Sequence, residues 1–433
     1  MQIERVLYFA SFLVVLIISI LFWSKIKSSS IQNLGKLFLL YWIVNIFIGV
    51  VVFYSQVEWN WISLTFLLLC VNAFSLSYLT IRNKDQISFQ PFQHYLVGSI
   101  FLERIIIFTV LSGFGYVYFE LTSNGFGLDS LTSEEGLMAA GYYFTDGRYG
   151  GSTEIQVPTI GQILLTINYS GFCLSGFSYK LGLQKKWICF LQFAPMILST
   201  ITTTAKTLLV SGLLLWITGF IIGGYVAEKD NNATRSLSLK KVVIPVVIVL
   251  VFFYASFVVR YQSNDSVEIV NRLFVYALGH VPCYDDWFGK FDANMFGYSF
   301  GQQSAQMFFG SKMPMSLHNK YVVPFLDTKY GWTNVNTMFA YYLMDYGYIG
   351  SLIYFTIWGI LAGKAHNAIV RNGSVIGFGF LALTIYLILY SFLISALKYT
   401  SIVGSFVLFG GYIFLLKNKK NEGVQFWRCN CHV

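Results

Sequence analysis

The chain is crowded with apolar runs of 18 to 27 residues, each long enough to carry a helix across a bilayer core of about 30 Å. In hydrocarbon the backbone must satisfy its own hydrogen bonds, so such runs fold as helices. They lie near residues 6–23, 37–54, 61–81, 95–119, 158–179, 187–204, 207–226, 242–260, 337–363, 375–396 and 399–416, eleven in all. Only 11% of the 433 residues are charged, where a soluble chain carries roughly 25%. Mean hydropathy is +0.61. That leaves too little polar surface for a soluble enzyme, a nucleic-acid reader or a disordered scaffold. The reading is an all-α, polytopic transmembrane helical bundle forming a single domain over 1–433.

The net charge of +9 has a topological use. Cytoplasmic loops hold the excess of Lys and Arg. An N-out, C-in arrangement puts 18 of the 29 basic residues inside and leaves the short outer segments only Arg5, Lys206 and Lys398. The first apolar run ends at Lys25 and Lys27 with no small-residue cleavage site, so it is expected to stay as an anchor. Cys283 stands alone in an outer loop, with no second thiol there to oxidise with it. Cys429, Cys431 and His432 form a soft-ligand cluster at the tail, too small to carry a metal assignment.

Two longer outer segments break the alternation of spans and turns. The first, 120–157, has six acids and a single cation, Arg148, within GYYFTDGRYGGST, a composition suited to a structured loop against a sugar. The second, 261–336, is too long for a structureless connection. Asp265 and Glu268 stand at capping-box spacing before VEIVNRLFVYALG, which predicts a helix of about four turns limited by Pro282. Glu268 and Arg272 can pair one turn apart on it. Beyond it come His280, Asp285, Asp286, Lys290, Asp292, Lys312, His318 and Lys320. Asp285 and Asp286 are adjacent and diverge on any regular backbone, which argues against a paired acid and base. No phosphate-binding glycine loop and no H-E-x-x-H occurs, and the inner loops are short. Any chemistry faces outward, on a substrate already in the membrane.

The stretch NVNTMFAYYLMDYGYIGSLIYFTIWGILAG, with Asn334, Asn336, Thr337, Asp345, Tyr346, Gly347 and Gly350, resembles the signature span of Wzy-type O-antigen polymerases. ITTTAKTLLVSGLLL is a looser match, with Lys206 at a tight outer turn where many relatives carry arginine. Lysine keeps the charge and loses the bidentate fork. The family's loop patterns of Arg followed by Gly at fixed spacing do not fit Arg148 or Arg272. The resemblance covers the order of spans and loops over most of the chain, and particular residues over about thirty positions of one span.

The resemblance implies a glycosyltransferase C-like fold in the bacterial plasma membrane with its active site outside. It implies an enzyme without metal or nucleotide cofactor that joins polyprenyl-pyrophosphate-linked oligosaccharides. Its partners would be a repeat-unit flippase and a chain-length regulator, and nucleic acid has no part. Such transfer needs a base near neutral pKa, and cations where the pyrophosphate leaves. His318 is the expected base, with Arg272 as a catalytic cation. Arg148, Lys206, Arg260, His280 and Lys320 are the expected pyrophosphate- and substrate-binding residues. Each has a blander reading: Arg260 and Lys206 as span-end anchors, Arg272 and Arg148 as salt-bridge partners, His280 as a neighbour of the preceding helix end, His318 as a loop histidine. Glu103 and Arg104, about 12 Å into the fourth span, would have to face protein or water. Asp345 would cap or brace the large loop, and Gly347 and Gly350 would permit close helix packing. An O-antigen ligase shares the architecture. A lipid-linked oligosaccharide flippase would show internal repeats, which are not seen here. A non-catalytic partner in polysaccharide export would tolerate loss of every outer cation.

Overall fold

The computed structural model describes residues 2–25, 33–82, 99–148, 155–227, 246–247, 250–255, 258, 266–291, 298–309, 326–333 and 335–430. The described chain is predominantly helical. In order it forms α1 (Gln2–Lys25), α2 (Leu34–Phe53), α3 (Trp61–Ile81), α4 (Ile100–Thr122), α5 (Glu134–Arg148), α6 (Thr159–Leu181), α7 (Lys186–Leu191), α8 (Phe193–Thr203) and α9 (Lys206–Ala227). It continues with α10 (Ser266–Leu278), α11 (His280–Lys290), α12 (Gln306–Phe309), the antiparallel hairpin β1 (Leu326–Thr328) and β2 (Gly331–Thr333), then α13 (Met338–Asn372), α14 (Val375–Tyr390) and α15 (Thr400–Asn430). Among the described residues six helices are long and apolar enough to cross a membrane: Glu4–Lys25, Leu34–Phe53, Trp61–Ile81, Ile100–Thr122, Lys206–Tyr225 and Met338–Arg371.

Several expectations shift. The span expected over 187–204 is two short helices meeting at Gln192, whose side chain accepts from Thr109 Oγ1 at 3.1 Å and donates to the Asn168 carbonyl at 3.0 Å. The GYYFTDGR stretch is not a loop but part of α5, with Ala140 and Phe144 buried one turn apart. Pro282 does not end the 266–278 helix; it lies in the first turn of α11, where a missing N–H costs nothing. Glu103 is in the first turn of α4, capped by Ser99, and Arg104 is exposed, so neither lies at a helix centre. The helix expected over 375–396 stops at Tyr390, because Ser391 is pinned by Trp42 Nε1 at 3.0 Å and by the Met338 N–H at 2.8 Å. Most of the run over 242–260 lies outside the described residues.

Backbone contacts divide the chain into two compact units. The first comprises Met1–Asp85, Ser266–Ala368 and Thr384–Thr400. Its core is aromatic: Phe38 meets Phe74 edge-on at 5.3 Å, and Trp42 meets Phe339 at 5.0 Å. Gly359 and Gly363 of α13 allow close approach here, set against α3 at Phe74 and Tyr78. Gly347 acts differently. At φ +66° it breaks α13, with the Tyr298 ring against its bare Cα, and Gly350 faces only its own helix.

The second unit comprises Gln86–Asp265, Ile369–Leu383 and Ser401–Val433. α6 runs through its interior, with Gly176 against the Trp216 carbonyl and Gly219 against the Cys173 carbonyl of the facing helix. Any Cβ there would overlap the opposing backbone, so glycine sets the separation of α6 and α9.

Candidate functional site

A polar cluster in the second unit gathers where α4, α5, α8 and α9 come together. The last two turns of α4 carry Tyr116 and Glu120 on one face, and the Tyr116 hydroxyl donates to Glu120 Oε1 at 2.8 Å. Ser199 of α8 donates to Glu120 Oε2 at 3.0 Å. Glu120 is only 4% exposed, and a carboxylate is tolerated at such burial when donors surround it. Asn124 then closes the end of α4: it donates to the carbonyls of Glu120 and Gln156 and accepts the Gln156 N–H.

From Ser199 the chain runs through Thr200, Thr202, Thr203 and Thr204, all buried. Thr204 takes a left-handed conformation, φ +56°, and turns the backbone from α8 into α9. Lys206, first residue of α9, is 6% exposed. Thr204 Oγ1 bonds Thr145 Oγ1 at 2.9 Å, which ties this turn to the last turn of α5. Arg148 closes that helix one turn beyond Thr145. Two expected cation positions, Lys206 and Arg148, are thereby carried on elements bonded to each other.

The first unit holds Arg272 and His280. Arg272 lies 3.9 Å from Glu268, as the spacing implied, and its guanidinium carbon stands 5.4 Å from the Trp332 ring centre on the hairpin. His280 is buried among aromatics, 5.9 Å from Trp42 and 5.5 Å from Phe392, beside the Ala277 backbone at the end of α10. Burial lowers its pKa to about 3, so the imidazole is neutral over the physiological range. Asp285 and Asp286 diverge as expected. Asp286 pairs with Lys290 at 2.7 Å, while Asp285 points inward to accept from Ser63 Oγ and the Asn60 N–H, capping α3 from outside its own helix. Burial raises the Asp285 pKa to about 6.

Asp345 braces the large loop. Its carboxylate accepts from Ser299 Oγ and from the N–H groups of Gln303 and Ser304. Arg260, His318 and Lys320 lie outside the described residues, as does the end of the Cys-and-His tail. Cys283 is buried and free. Among the described residues no three His, Cys, Asp or Glu side chains are placed to share a metal ion.

In the sequence Glu120 is only the first acid of the segment 120–157. A Tyr–Glu pair four residues apart at the end of an apolar helix is the signal that could have found it. The hydroxyls of Ser199 and Thr145 carry none, being 79 and 59 residues from their partners. No protein-family model, no curated protein and no solved structure matches the chain.

Proposed function

We propose that this chain is a membrane glycosyltransferase that polymerises polyprenyl-pyrophosphate-linked oligosaccharide repeat units at the outer face of a bacterial plasma membrane. In this reading the chain crosses the bilayer eleven times, N-terminus out, and the segments 120–157 and 261–336 face the substrate. The observation that carries it is the buried Lys206 turn bonded through Thr204 and Thr145 to the helix that ends at Arg148. A nearly buried lysine at a helix start, preceded in the chain by the buried Thr200, Thr202, Thr203 and Thr204, suits a phosphate group beside a sugar.

The transfer needs no redox partner. An acceptor hydroxyl oxygen bonds the anomeric carbon of the growing glycan, and the bond from that carbon to the pyrophosphate oxygen breaks. The electron pair leaves with the pyrophosphate, whose charge Lys206, Arg148, Arg260 and Arg272 offset. His318 takes the hydroxyl proton.

The test is a gel of surface glycan from cells lacking the gene beside the complemented strain. A single repeat unit in place of the ladder supports polymerisation, because flipping and attachment still operate. Loss of every repeat with lipid-linked polymer accumulating would identify a ligase, and an unchanged ladder would remove the reading altogether.

A further inference from the structure

The 34 residues Met338–Arg371 would run about 51 Å as one straight helix at 1.5 Å per residue, against a hydrocarbon core of about 30 Å, but Gly347 breaks them into two helical pieces. The burial pattern shows where the excess lies. Before Gly347, Met338, Phe339, Ala340, Tyr342, Leu343, Met344 and Asp345 are all buried in protein. After it, Ile349, Ile353, Ile357 and Leu361 recur every four residues on one face, all exposed. That stripe is a lipid-facing seam, and it ends at exposed Lys364. From Gly347 to Lys364 is about 25 Å, close to the thickness of the core once Lys364 reaches to the headgroups. The edge of the hydrocarbon therefore falls at the Gly347 break.

A strained loop tip is fastened at that level. Phe300 has φ +48°, a left-handed conformation costly for an aromatic residue, and it is 71% exposed. Its N–H donates to the Asp345 carbonyl at 3.1 Å, and the Ser299 N–H donates to the Met344 carbonyl at 3.2 Å. The buried Asp345 carboxylate holds Ser299, Gln303 and Ser304. These anchors hold in place a residue that buries little of its own surface against the protein. Tyr298 and Tyr348, each about half exposed, flank it at the same level, and Phe308 on the following helical turn is 64% exposed.

We propose that the loop 298–309 is a membrane foot, which seats Phe300 in the boundary between headgroups and acyl chains. The occupant is the bilayer itself, because the exposed aromatic tip is fastened to Met344 and Asp345, beside the break after which the exposed apolar stripe of α13 begins. The foot would hold the Gly347 break at a constant depth and, with it, the loop that Asp345 fastens. It depends neither on which end of the chain is outside nor on the polymerase reading.

Phe300→Cys, in a chain with Cys429 and Cys431 changed to serine, is labelled with an NBD fluorophore and placed in nanodiscs of phosphatidylcholine and phosphatidylglycerol. Ile349→Cys and Asp129→Cys serve as membrane and water references. The expected result is blue-shifted emission, strong quenching by lipids brominated near the top of the acyl chain, and iodide quenching several-fold weaker than at position 129. Emission and iodide quenching that match position 129, with no quenching by brominated lipid, would overturn the proposal. The substitution is at an exposed tip, so the fold is not at stake, and polymer formation in cells is a separate readout.

Discussion

Ser199 on α8 donates to Glu120 on α4 at 3.0 Å, joining two helices through a carboxylate that Tyr116 already bonds at 2.8 Å. Replacing Glu120 by alanine would leave two buried hydroxyls short of an acceptor, at about 1–3 kcal/mol each. Glu120→Ala should therefore lower the unfolding midpoint in detergent clearly more than Glu120→Gln, which keeps an acceptor oxygen. Equal midpoints for the two variants would show that the carboxylate does not hold α8.

Lys206→Ala should abolish surface polymer at unchanged protein level, and Lys206→Arg should retain it, because the charge and not the ammonium geometry is at issue. A full ladder from the alanine variant would remove Lys206 from the site. Arg272→Ala should also abolish polymer, as a cation for the leaving pyrophosphate. Arg272→Lys gives up the stacked geometry on Trp332 but keeps charge, so partial polymer is expected from it.

Two buried groups outside the spans give stability opposite slopes in pH. The folded pKa of Asp285 is raised from 3.8 to about 6, so between those values the folded state holds the extra proton and stability falls as pH rises. His280, lowered from 6.5 to about 3, stays neutral in the fold while the unfolded chain protonates, so stability falls as pH drops through that window. Each slope is at most about 1.4 kcal/mol per pH unit. Asp285→Asn should steepen the loss of stability on acidification from pH 6 to pH 4, and His280→Gln should flatten it. Thermal unfolding in detergent across that range reads both, and parallel curves for all three chains would refute the assignment.

Gly219→Val should prevent the close approach of α6 and α9, since a side chain there meets the Cys173 carbonyl rather than a movable group. Backbone shifts of this kind cost about 1–3 kcal/mol or more. The expected outcome is loss of monodisperse protein in size-exclusion chromatography, with Gly411→Val, which meets nothing within 4 Å, as the tolerated control.

The apolar runs by themselves determined that this is a helical membrane protein, because hydrocarbon leaves the backbone no alternative to internal hydrogen bonds. Local spacing determined the pairs one turn apart, such as Glu268 with Arg272, and it let Asp285 and Asp286 diverge. Only the tertiary structure decided that Ser199 meets Glu120, that Thr204 meets Thr145 and that Ser63 meets Asp285. The physical reason lies in the solvent. In water an apolar stripe marks the buried face of a helix, but in a bilayer the lipid-facing and protein-facing positions are both apolar. On α4 exposed Phe108 and Leu111 alternate with buried Ile106 and Val110, and their chemistry does not tell them apart. The partners of each helix are set by where glycines admit a neighbouring backbone and where buried hydroxyls find an acceptor, relations between residues far apart in the chain.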